Sequence, residues 1–199
     1  MSVRFAVEAD IPAMLEIYAP YVKNTAVSFE YEVPSPEEFT RRFQTVTARF
    51  PWLVWEQEGK VLGYCYACYP FERAAFGWCA EPSVYLAPQA HRQGIGRQLY
   101  WVLEEMLKLL GYTRLYALVT ADNAPSVAFH KALGYREIAC LPDCGYKLGQ
   151  WHGLTWLEKE IKSVKNPMDF PNPVQVIVNN DKIFRNILDN LPLSQWTKI

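Results

Sequence analysis

The chain has 199 residues, 50% apolar and 15% aromatic, which is enough to fill one domain core and too rich in large side chains for a disordered protein. Its 20 basic and 21 acidic residues leave a net charge of −1, and without a long basic run it has little with which to neutralise a nucleic-acid backbone. No apolar run approaches the ~18–20 residues of a bilayer-crossing helix, and Met1-Ser2-Val3-Arg4-Phe5 lacks a signal-peptide core, so a soluble cytoplasmic protein with no nucleic-acid or membrane partner is expected.

Residues 4–7 read as a first strand, and Ile11, Met14, Leu15, Tyr18 and Val22 follow at helical spacing behind a candidate cap, Asp10. Ser35-Pro36-Glu37-Glu38 is a capping-box pattern with Pro at the first helical position. It predicts a helix over 36–45 that buries Phe39 and Phe43. Residues 52–56, a turn at Glu58-Gly59 and residues 61–69 form an antiparallel hairpin pattern, and a third strand follows over 78–86.

An amphipathic helix over 96–110 ends at Gly111, residues 114–119 read as a buried strand, and a helix over 124–133 is closed by Gly134. Two more strands, over 135–141 and 154–160, complete an α/β (α+β) pattern: one mixed, mostly antiparallel sheet flanked by helices. The compact unit is residues 1–162. Residues 163–199 form an extension, with a linker punctuated by Pro167, Pro171 and Pro173, a short strand over 174–178 and a short helix over 181–190. Its apolar stripe, Ile183, Phe184, Ile187 and Leu188, needs covering by its own domain or by a second subunit.

Five cysteines make an odd number in a chain too large to need stapling, so reduced thiols are expected. Cys65 and Cys68 lie three apart in a strand, on opposite faces, which disfavours a shared metal. Cys140 and Cys144 flank a Pro-Asp turn and read as loop thiols. No metal site is expected.

Two segments carry chemistry. The first is His91-Arg92-Gln93-Gly94-Ile95-Gly96-Arg97, between a strand and a helix. Two glycines let backbone approach a bulky anion, and the N–H groups of the first helical turn then point at it with the helix dipole behind them. Alone, such a pair also serves as a tight bend. The second is the run from Asp122 to Tyr135, with Asn123, Ser126, His130 and Leu133-Gly134-Tyr135, directly after a strand.

Strand, Gly-x-Gly, helix, strand, then Asn-x-x-Ser-x-x-x-His-x-x-Leu-Gly-Tyr resembles the GNAT superfamily of N-acetyltransferases over residues 3–162. Glu81-Pro82-Ser83-Val84-Tyr85-Leu86, the segment ending in Leu133-Gly134-Tyr135 and Gly149-Gln150-Trp151-His152 are similar to its phosphinothricin acetyltransferase-like subgroup. The resemblance implies acetyl-CoA as cosubstrate. It implies that Gln93, Gly94, Ile95, Gly96 and Arg97, with His91 and Arg92 beside them, hold the pyrophosphate. It implies further that the backbone of Val84, Tyr85 and Leu86 pairs with the pantetheine arm, and that Asn123 and Ser126 touch the cofactor's far side. His91 stands where the family often has Arg or Gln, and also reads as a solvated loop residue.

Acyl transfer to an amine needs an unprotonated nitrogen and a stabilised leaving thiolate. Glu81 resembles the subgroup's general base, acting through water, for which partial desolvation would raise the carboxyl's pKa. His130, where many members place a Tyr acid, has an ordinary pKa of ~6.5 and suits either direction of transfer. The plain alternatives are a surface ion pair for Glu81 and a carbonyl-bound helix histidine for His130. Cys79 raises a ping-pong alternative but has no assigned base.

For the acceptor, Arg73 is a candidate carboxylate clamp, and Phe29, Phe71, Phe76 and Trp78 are candidate walls of an apolar pocket, or plain core. The expected substrate is a small amine, an amino acid or amino-acid analogue with one acidic group, like phosphinothricin or methionine sulfoximine. A homodimer is expected, with the extension at its interface or over the substrate mouth. A protein or peptide N-acetyltransferase and a non-catalytic acyl-CoA sensor are the competing readings.

Overall fold

A computed structural model describes residues 2–164 and 169–192. Its centre is a seven-stranded sheet in the order β1-β2-β3-β4-β5-β7-β6. The strands are β1 (Ser2–Phe5), β2 (Trp52–Gln57), β3 (Lys60–Cys68), β4 (Cys79–Leu86), β5 (Arg114–Thr120), β6 (Arg136–Lys147) and β7 (Gln150–Glu160). Only β4 and β5 run parallel; every other neighbouring pair is antiparallel. The Glu58-Gly59 turn between β2 and β3 takes positive φ at both residues, as a tight hairpin requires.

Strand alternation sends two sets of side chains to opposite faces. On one face, Leu53, Cys65, Ala67, Ala80, Leu115, Ala117 and Leu157 meet Leu99, Val102, Leu103, Met106 and Leu107 of helix α3 (Ile95–Leu110). On the other, Trp52, Val54 and Tyr64 meet Met14, Ile17 and Tyr18 of α1 (Ile11–Asn24) and Phe39 and Phe43 of α2 (Pro36–Thr47). Ser35 Oγ caps α2 by accepting the Glu38 N–H at 3.2 Å. Gly111, at φ +107°, ends α3 in the left-handed conformation that favours glycine. Helix α4 (Ala124–Ala132) follows β5.

Three sequence expectations change. Asp10 does not cap α1; its carboxylate turns back to Arg4 at 2.7 and 2.8 Å and to the Val7 N–H at 2.9 Å. The Pro142-Asp143 signal is no turn between strands: β6 runs on to Lys147, and the register slips between Leu141 and Gly145 with Asp143 at φ +46°. An edge strand tolerates such a bulge, because Pro142 has no ladder donor to lose. Cys140 and Cys144 are therefore exposed strand thiols.

The alternation Val174-Gln175-Val176-Ile177-Val178 forms a single helical turn, α5 (Gln175–Val178), in place of a strand. It buries Val174 and Ile177, three apart, against the α3-side core. Of the two covers open to the apolar stripe, α6 (Asp181–Asp189) takes its own domain, with Ile187 buried and Phe184 packed on Phe5 of β1 at 4.7 Å. The described residues of the extension, 169–192, thus lie behind the sheet and across α3, and not over the cleft described below. The Pro167 expectation lies outside the described residues. Among the described residues no helix is long and apolar enough to cross a membrane.

Candidate active site

Parallel pairing of β4 with β5 lasts for two residue pairs, Cys79 with Arg114 and Ala80 with Leu115. Beyond them β4 stays with β3 as far as Leu86, and β5 stays with β7 as far as Thr120. The sheet therefore splits. Glu81, Pro82, Ser83, Val84 and Tyr85 line one wall of the resulting cleft and residues 117–120 the other, with Tyr100, Asn123, Ser126 and His130 also facing it.

The open edge of β4 is partly spoken for. Tyr21 Oη donates to Leu86 O at 2.7 Å and accepts from the Leu86 N–H at 3.4 Å, while Tyr100 Oη lies 2.9 Å from Pro82 O. Backbone groups two residues apart face the same way, so Val84 turns its N–H and C=O to this edge as well. Pro82 has no donor to leave stranded there. A chain carrying amides finds one donor and one acceptor at Val84, whereas Tyr85 spends its backbone on β3 and rests its ring on Tyr18 at 4.9 Å.

At the mouth, α3 begins behind Gly94 at φ +75°, with Arg92 also left-handed at +60°. No side chain caps this helix start, which leaves the N–H groups of Ile95, Gly96 and Arg97 pointing outward along the dipole of a 16-residue helix. A Cβ on Gly94 would meet nothing within 4 Å, so glycine serves the backbone angle there. His91 is exposed, with its Nε2 3.0 Å from Tyr21 Oη and 3.3 Å from Leu86 O. It braces the loop against β4.

Glu81 is partly buried opposite Cys68 of β3, and burial pushes its carboxyl up to about 7. No basic partner pairs with it among the described residues. His130 is 4% exposed, and burial lowers its pKa against the opposing hydrogen bond to Ser126. The Ser126 carbonyl, 2.8 Å from Nδ1, fixes the hydrogen on that nitrogen, and Nε2 then accepts from Tyr100 Oη at 3.0 Å. Both ring nitrogens are engaged.

The group that His130 presents to the cleft is thus the Tyr100 hydroxyl, whose one hydrogen has two acceptors, Pro82 O and His130 Nε2. Nothing in the sequence marks Tyr100, because an aromatic residue beside Leu99 in an amphipathic helix reads as core. Asn123 Oδ1 accepts the Ser126 N–H at 3.2 Å and so caps α4. The Cys79 thiol is raised by burial against a lowering effect of Arg114, which keeps it protonated and a poor nucleophile.

A second cavity of about 270 Å³ opens between α2 and the face of the sheet that carries Glu81. Glu30, Arg42, Trp52, Tyr66 and Cys68 line it; Arg42 pairs with Glu30 and, at 2.7 Å, with Glu38, and the buried Trp52 Nε1 has no partner among the described residues. None of Phe29, Phe71, Arg73 and Phe76 lines either cavity. Phe71 and Phe76 pack together at 4.7 Å, with Tyr116 and Trp156 5.7 and 6.1 Å from Phe71. Arg73 is exposed, without hydrogen bond or ion pair among the described residues. Trp78 leaves the proposed wall altogether and stacks on Phe170 at 4.4 Å.

Phe29 packs on Gly145, beside His152. Its segment is pinned to the β6–β7 hairpin: the buried Lys147 ammonium donates to Ser28 O, and Tyr31 Oη donates to Tyr146 O at 2.6 Å. Burial pulls the Lys147 pKa down, against an opposing effect of Glu30. His152 supports the hairpin through Asp122, 2.8 Å from Nδ1, and Lys147 O, 3.1 Å from Nε2. Cys65 and Cys68 do lie on opposite faces, Cys65 fully buried against Leu99 O.

Residues 3–156 match the acetyltransferase (GNAT) domain family. The phosphinothricin N-acetyltransferase of Streptomyces viridochromogenes is 33% identical over 162 residues, 81% of this chain and 88% of that protein. An L-methionine sulfoximine/L-methionine sulfone acetyltransferase of Salmonella typhimurium is 32% identical, over 81% of this chain and 95% of its own length. A phosphinothricin acetyltransferase from Sinorhizobium meliloti, solved in complex with acetyl-CoA, superposes with a TM-score of 0.79 at 30% identity, covering 84% of this chain and 94% of that one.

Proposed function

We propose that this chain, which belongs to the GNAT acetyltransferase family, moves an acetyl group from acetyl-CoA to the amine of a small amino acid or amino-acid analogue of the phosphinothricin or methionine sulfoximine type. The observation that carries this reading is the split between β4 and β5, with a carboxyl raised to about 7 on one wall and an uncapped helix start at its mouth. The site fits the cosubstrate. Gln93, Gly94, Ile95, Gly96 and Arg97 would hold the pyrophosphate through backbone N–H groups, Val84 would pair with the arm, and Asn123 and Ser126 would line its far side. Bound acetyl-CoA supplies the activated acyl group.

The chain's own residues handle protons and position. Glu81 takes the proton from the acceptor nitrogen, directly or through one water, for which a pKa close to working pH is best suited. The Tyr100 hydroxyl lines the cleft with its hydrogen on Pro82 O or His130 Nε2, and would have to turn it from these acceptors to the departing sulfur, so His130 acts by positioning Tyr100. This replaces direct protonation of the leaving sulfur by the imidazole. The acceptor approaches on the face that carries Glu81. There the Arg42–Glu30 pair would provide charge for its acidic and amino groups, while Arg73, Phe29, Phe71 and Phe76, which line neither cavity, would meet only a part of the acceptor that reaches beyond both. Five free cysteines suit the reducing cytoplasm, and we assign the protein to it as a homodimer.

The test is coenzyme A release by the full-length protein with methionine sulfoximine, phosphinothricin, polyamines and short peptides as acceptors. Turnover is expected with the first two. Turnover with peptides alone would make the protein a peptide acetyltransferase. Tight acetyl-CoA binding with no turnover of any amine would make it a sensor.

A further inference from the structure

The cleft has a narrow apex. β4 and β5 share only the pairs Cys79 with Arg114 and Ala80 with Leu115, extended where the Thr113 N–H donates to Trp78 O at 2.9 Å. Residues beyond the matched domain cover the outside of this joint. Trp78 Nε1 donates to Asp169 O at 2.9 Å, the Trp78 and Phe170 rings stack at 4.4 Å and 17°, and a Cβ on Gly77 would come within 3.1 Å of Phe170. These contacts hold the β4 side.

The following residues hold the β5 side. The Asn172 N–H donates to Leu110 O at 2.8 Å, and Pro171 lies over Gly111, in the turn that leads to β5. The chain then returns to the first half-sheet, where Arg49 donates to Pro171 O at 2.7 Å and the Val174 N–H donates to Arg49 O at 2.9 Å. Phe184 finally rests on Phe5. One segment thus grips both sides of a joint that the ladder secures with two pairs.

We infer that residues 169–174 are a brace that sets the opening of the acetyl-CoA cleft, with Phe170 and Trp78 as positioning residues for cosubstrate binding. The inference rests on the assignment of the cleft to acetyl-CoA. Half-sheets joined by so few hydrogen bonds have a pivot at the joint, and a brace across the pivot limits the angles at which Val84 and the α3 start face the opposite wall. Neither Phe170 nor Trp78 lines the cleft, so their effect on binding passes through the joint alone.

Calorimetric titration of the full-length protein with acetyl-CoA, at a temperature where every variant stays folded, tests this. Phe170→Ala is expected to raise the Kd roughly tenfold, within the range by which contacts remote from a ligand alter its binding. Trp78→Phe keeps the stack but loses the donor to Asp169, and should fall between. Phe184→Ala removes an aromatic contact at the far end of the same extension; it should lower Tm and leave the Kd and both KM values as in the wild type. If Phe170→Ala binds like the wild type, or if Phe184→Ala weakens binding equally, the brace is refuted. A wild-type protein that fails to bind acetyl-CoA removes the cofactor assignment, and the brace with it.

Discussion

A carboxyl that keeps its proton to about pH 7 makes folding and catalysis pull in opposite directions at Glu81. Its cause is burial without a basic partner, so the folded state binds a proton that the unfolded state gives up near 4.5. Stability is therefore lost as pH rises from about 4.5 to about 7, while the base becomes competent over the upper part of that window. Glu81→Gln should lower kcat by ~10²–10⁴-fold and abolish the limb of the rate profile that rises toward pH 7. It should also raise stability by up to about 3 kcal/mol at pH 8 and by about 1 kcal/mol or less at pH 5. Rate profiles and thermal melts at both pH values check this; a wild-type limb that survives in the variant would remove Glu81 as base. The resemblance to the superfamily offered Glu81, His130, Asn123 and Ser126, and all four face one cleft. The sequence did not offer Tyr21 or Tyr100, because a helical tyrosine that aims its hydroxyl at a strand edge has the same periodicity as one that fills the core.

Among the elements, the turn into α3 shows what local sequence specifies well. Gly94 needs a left-handed backbone and has open space around its missing Cβ. Gly94→Ala should thus cost ~1–2 kcal/mol from the backbone alone, without a clash. If the exposed N–H groups behind it hold a pyrophosphate, acetyl-CoA affinity should fall beyond what the stability loss explains. Denaturant melts paired with binding titrations separate the two, and unchanged affinity would remove this turn from the cofactor site. Helices and hairpin followed from period and caps because those signals lie within a few residues. Strand neighbours did not: β7 lies between β5 and β6, and only long-range pairing decides that. Residues 174–178 failed for a related reason. Their alternation suits a strand, but the i, i+3 spacing of Val174 and Ile177 buries both against the core as a helical turn.

At the scale of the whole molecule, the two edges of the sheet are treated differently. The β1 edge is four residues long and has α6 packed against it through Phe184. The β6 edge is twelve residues long and almost wholly exposed, with Ile138, Leu141 and Tyr146 on it and Leu148 and Trp151 at the adjoining turn. A long exposed strand with apolar side chains is a template for another chain unless something covers it. Among the described residues the extension does not, because its residues 169–192 dock on their own domain at the other end of the sheet. Under the homodimer proposed above, a second copy of this chain set across the β6–β7 hairpin would cover it. Because that hairpin also pins Ser28 and Tyr31, the contact would reach the acceptor side and leave the coenzyme A mouth open. Sedimentation equilibrium at micromolar concentration should give twice the chain mass. Leu141→Glu combined with Trp151→Glu should give a folded monomer with a raised acceptor KM and an unchanged acetyl-CoA Kd. A wild-type monomer, or a double variant that remains dimeric, would place the association elsewhere and leave the β6 edge without a partner.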